Sequence, residues 1–69
     1  MIKNENELLA TQERISLFES YLTQIRQNAR PEEFELVAGG YLSELAKMQS
    51  EVLAFLSEHA SKQVPAHVA

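Results

Sequence analysis

The chain has 69 residues and a net charge of −4, a size at which a single core supplies only about 3–5 kcal/mol unless association or a ligand adds to it. It has no cysteine, which excludes disulfide staples and thiolate metal sites and suits a reducing, cytoplasmic setting; no targeting segment is expected, and no stretch approaches the roughly 20 apolar residues of a membrane span. The acidic excess falls on residues 31–69, and no cluster of Lys or Arg is present to displace counterions from phosphates, so direct nucleic-acid binding is not expected.

The first element begins at Asn4. Its side chain can accept from the backbone N–H of Glu7 while Glu7 reaches back, a capping box that also places negative charge at the positive end of the helix dipole. From there Leu8, Thr11, Ile15, Phe18, Leu22, Ile25 and Ala29 recur at alternating steps of three and four, the a/d seam of an amphipathic helix. One helix is predicted over 5–29. Leu17 and Tyr21 lie beside the seam and widen its apolar arc.

Arg30-Pro31 makes a turn, because proline disfavours helical geometry in the residue before it and lacks the N–H that a continuing helix needs. The same proline suits the start of a second helix, and Glu32, Glu33 and Glu35 load that helix's first turn with the charge its dipole favours. Phe34, Ala38, Tyr41, Leu45, Met48, Val52, Phe55 and His59 form a second seam, flanked by Leu42 and Leu56. A helix is predicted over 32–60, completing a hairpin over 1–60. Residues 61–69 lose the periodicity, contain Pro65 and are expected to form a flexible tail.

Two long amphipathic helices joined by a short turn predict an all-α antiparallel hairpin. A single hairpin leaves part of each broad apolar face wet. Two copies are therefore expected to form a four-helix bundle, with Leu17, Tyr21, Leu42 and Leu56 as the candidate oligomer face.

Gly39 and Gly40, the only glycines, interrupt the second helix at a cost of about 2 kcal/mol relative to alanine. They lie on a face of small residues with Ser43, Ala46, Ser50, Ala54, Ser57 and Ser61. Three readings stay open: a kink, a break into a short and a longer helix, and a close approach of another backbone.

No constellation names a reaction. His59 and His67 are too far apart to share a helical face as paired zinc ligands do, and three residues before His59 stands Leu56, so Glu-x-x-His is absent; neither metal nor cofactor is expected. Glu44, Glu51 and Glu58 recur every seven residues along the seam's edge, where they are expected to pair with Arg14 and Arg26 rather than to act as catalytic carboxylates. Glu58 and Lys62 have the favourable i,i+4 order. The chain reads as a non-enzyme.

The stretches "MIKNENELLATQERISLFESYL" and "YLSELAKMQSEVLAFL" carry a further signal. With Ile2, Asn4, Glu5 and Glu7, then Ser43, Leu45, Met48, Glu51, Val52 and Phe55, residues 2–58 resemble the amino-terminal helical hairpin ahead of the helix-turn-helix in HigA-type antitoxins and related Xre-type bacterial regulators. The resemblance implies a bacterial, cytoplasmic hairpin used for oligomerisation or for contacting a partner such as a toxin or a regulator. No second helical pair and no basic recognition helix accompany it here, so operator binding is not carried over.

Overall fold

The computed structural model describes residues 1–59. Within them the chain is an all-α hairpin of two helices, α1 (Glu5–Asn28) and α2 (Pro31–Leu56), packed against each other along their length. The predicted tail over 61–69 lies outside the described residues.

The start of α1 is set by side-chain capping. Asn4 is extended and its Oδ1 accepts from the Glu7 N–H at 2.9 Å. The Glu7 carboxylate reaches one residue further back than a standard capping box does and accepts from the Lys3 N–H at 2.7 Å. Two donors without helical partners are thus satisfied, and the chain enters at an angle that lets Ile2 pack with Leu8 and Phe55. Asn4→Ala is expected to lower stability by about 1 kcal/mol, read as a reduced melting temperature.

Between the helices, Ala29 and Arg30 are extended, with ψ of 149° and 147°. For Arg30 the cause is the steric demand of the following proline. The Ala29 N–H still donates to the Ile25 carbonyl at 2.9 Å, and Arg30 reaches across the turn to the Glu33 carboxylate at 3.0 Å. Pro31 opens α2 as its first helical residue, one position before the predicted start, because the N–H it lacks would have had no intrahelical acceptor there.

The second helix ends at Leu56, four residues short of the predicted Ala60. Beyond Phe55 the seam runs past the end of α1, since α1 begins at Glu5 and its first buried side chain, Leu8, already packs at the level of Val52 and Phe55. The Ser57 hydroxyl donates to the Ala54 carbonyl at 2.8 Å and its N–H donates to Leu53, so local bonds close the last turn. His59, placed by the periodicity at the end of the seam, lies outside the helix and is exposed.

The core is one residue deep. Ile2, Leu8, Ala38, Met48 and Phe55 are buried, and the other predicted seam positions, Thr11, Ile15, Phe18, Leu22, Ile25, Ala29, Phe34, Tyr41, Leu45 and Val52, are half-buried between the helices. Ala38 is wholly inaccessible; a side chain this small lets α1 approach closely near the turn. At mid-hairpin Phe18 meets Tyr41 edge-on, ring centres 5.4 Å apart, and Tyr21 lies tilted beside Phe18 at 6.2 Å and edge-on to Tyr41 at 5.7 Å, separations that suit attraction between aromatic rings.

Candidate interaction surfaces

The hairpin has two long flanks, one on each side of the plane containing the helix axes. The antiparallel register sets what each carries: Phe18 faces Tyr41, while Leu8 packs with Phe55 and Val52. One groove is lined by Phe18, Leu36, Val37, Gly40, Tyr41 and Glu44, and on the same side another is lined by Glu7, Ala10, Arg14 and Glu51. The opposite flank opens between Ile15, Gln49, Val52 and Leu53, and nearer the turn between Arg26, Ala29, Pro31 and Phe34.

This arrangement divides the four residues expected to form one oligomer face. Tyr21, in ring contact with Phe18 and Tyr41, lies with Leu17 on the first flank, beside Val37. Leu42 and Leu56 lie on the second, within about 60° of Leu53 on the α2 wheel at 100° per residue. All four are exposed, and so are Leu36, Val37 and Leu53. The hairpin therefore presents two apolar surfaces facing opposite ways. The distinction depends on which side of each seam faces which side of the other, a fact that neither helix holds alone.

The electrostatic expectation also changes. The ion pairs among the described residues are the Met1 ammonium with Glu51 at 3.8 Å and Arg30 with Glu33 at 3.0 Å; Arg14 and Arg26 pair with none of Glu44, Glu51 and Glu58. Register is the reason for Arg26, which sits beside Pro31 and Phe34, far along the hairpin from those glutamates. Arg14 shares an open groove with Glu51, but the nearer charge at Glu51 is the chain's own amino group. Exposed pairs of this kind are worth roughly 0–1 kcal/mol. Lys62, the expected partner of Glu58, lies outside the described residues.

The glycines sit within an unbroken helix. Neither has a positive φ, and a Cβ built on either would meet nothing within 4 Å. The two-segment reading is therefore overturned, and among the described residues no backbone packs against Gly39 or Gly40.

Among the described residues, no group of three or more His, Asp or Glu side chains is placed to hold a metal ion, and no helix is long and apolar enough to cross a membrane. Among the same residues, no buried side-chain N or O atom lacks a hydrogen-bond partner. Ile2 is the one core residue that the periodicity passed over, and the signal for it was an apolar residue just ahead of a capping box, which often packs back onto the first turns of the helix. Leu53 was likewise passed over, although it continues the row of Leu42 and Leu56. In comparisons with known proteins, no family model, no curated protein and no solved structure matches this chain.

Proposed function

We propose that this chain is a non-enzymatic helical interaction module that completes its core by self-association, two hairpins forming a four-helix bundle. The observation that carries this reading is the exposure of large apolar side chains along both flanks of a hairpin that, among the described residues, buries only Ile2, Leu8, Ala38, Met48 and Phe55. A core this thin is marginal for a chain of this length, and covering a leucine contributes about 1.5–3 kcal/mol per side chain. Association and folding then support each other.

Light scattering across a concentration series, with helicity followed in parallel by circular dichroism, tests this. The expected result is twice the chain mass of 7.8 kDa, with helicity lost on dilution as the assembly dissociates. A fully helical species of single-chain mass at every concentration would sink the reading.

A second reading is favoured by the flank carrying Leu17, Tyr21, Leu36 and Val37, which pairing through the other flank leaves uncovered. In it the hairpin is an adaptor or antitoxin-like binder that covers a different protein, in keeping with its resemblance to the hairpins of HigA-type antitoxins; a bacterial, cytoplasmic setting belongs to the same proposal. It predicts a poorly helical single chain that gains helicity when mixed with its toxin or regulator.

A further inference from the structure

We infer, resting on the self-association reading above, that the second copy of this chain docks antiparallel along α2 through Leu42, Ala46, Gln49, Leu53 and Leu56, with a twofold axis at Gln49. These residues follow one another at steps of four, three, four and three, a second seam running one residue beyond the seam that faces α1. All five are exposed, the leucines at 48 %, 69 % and 58 %. A heptad row that is complete yet unpaired within its own hairpin is a surface shaped for another helix.

Charge selects the kind of occupant. Each copy carries −4, so two copies meet most easily where neither presents carboxylates. This row has no charged residue from Leu42 to Leu56, and its outer border is made of small side chains, among them Ser43, Ser50 and Ser57, which allow a short distance between axes. On the opposite flank Glu44 and Glu51 line the grooves and would be brought toward the like charges of a second copy. On this flank α1 contributes Ile15, half-buried beside Gln49 and Leu53, so the exposed leucines of the row meet leucine when α2 lies against α2.

Spacing selects an identical, antiparallel occupant. A twofold contact must be self-complementary, and Leu42 and Leu56 each stand seven positions from Gln49. With the axis at Gln49, Leu42 of one copy meets Leu56 of the other, while Ala46, three positions from the axis, and Leu53, four positions from it, pack staggered by one residue, small against large. Gln49 meets its own copy; its amide both donates and accepts, and one polar residue in an apolar seam fixes the register. The row from Leu42 to Leu56 covers 15 residues, about 21 Å of helix at 1.5 Å per residue, long enough for Leu42, Gln49 and Leu56 to form three successive layers across the contact.

The absence of cysteine makes single-cysteine cross-linking clean. Leu42→Cys and Leu56→Cys chains, one carrying a small size tag, are prepared separately, mixed, and treated with a short bis-maleimide. The expected result is efficient linkage in the mixture and little in either variant alone, and a fall in the mass of Leu53→Glu from two chains to one. Self-linkage of Leu42→Cys without linkage in the mixture overturns the antiparallel arrangement. A two-chain mass that survives Leu53→Glu but is lost in Leu17→Glu places the contact on the other flank and overturns this inference while the self-association reading stands. A single-chain mass for the unmodified protein overturns both.

Discussion

Val52→Asp is expected to abolish the folded helical state at neutral pH. Val52 packs against Ile2, Leu8 and Phe55, the one contiguous cluster of buried side chains at the open end of the hairpin. An aspartate there removes an apolar contact and sets a carboxylate among side chains that offer it no hydrogen-bond donor; even an uncharged polar group buried without a partner costs about 2–7 kcal/mol, and a charged one costs more. The whole core of a chain this small supplies about 3–5 kcal/mol, so the substitution matches or exceeds the stability available. Leu22→Asp is expected to act in the same way from the C-terminal third of α1, where Leu22 is half-buried in the seam. Ser20→Asp, on the exposed back of α1, introduces the same charge and is expected to stay within about 0.5 kcal/mol of the parent. Circular dichroism melts of the three variants decide the matter. If Val52→Asp and Leu22→Asp melted with the parent, the helices would not pack along the assigned seam.

The second large effect has the opposite sign. Gly39→Ala and Gly40→Ala are each expected to stabilise the protein by about 0.8–1 kcal/mol, which is the penalty for glycine within a helix. Nothing opposes the gain: the backbone at both positions is helical, neither φ is positive, and the added methyl meets no atom within 4 Å. With about 4–8 °C per kcal/mol for a domain of this size, the double variant is expected to melt about 6–16 °C above the parent. Destabilisation at either position would reveal a neighbour from another chain against that face, since the hairpin itself offers none. The measurement therefore separates an open helical surface from a close-packed one.

Both predictions depend on features that differ in how far a linear reading could reach. The spacing of Leu8 through Ala29 and of Phe34 through Phe55 is a local property: 3.6 residues per turn convert steps of three and four into one stripe, whatever the stripe later touches. The Asn4 cap and the Pro31 start are local too, because each concerns which backbone groups near it have partners. The glycines mark the limit of such reasoning. Their intrinsic cost was plain from composition, but whether the helix would break there depended on packing at Ala38, Tyr41 and Leu45 on the opposite face, which carries α2 through both positions.

By itself, then, the sequence determined two amphipathic helices, their turn and the stripe by which they meet, since periodicity, capping and proline chemistry act over a few residues. Only the tertiary structure decided the register that puts Phe18 against Tyr41 and keeps Arg26 away from Glu44, the early end of α2 where α1 stops covering it, the burial of Ile2, and the separation of Leu17 and Tyr21 from Leu42 and Leu56 on opposite flanks. Each of these depends on how far one helix slides and which way it rolls against the other, and that is set by side chains distant in the chain meeting in space.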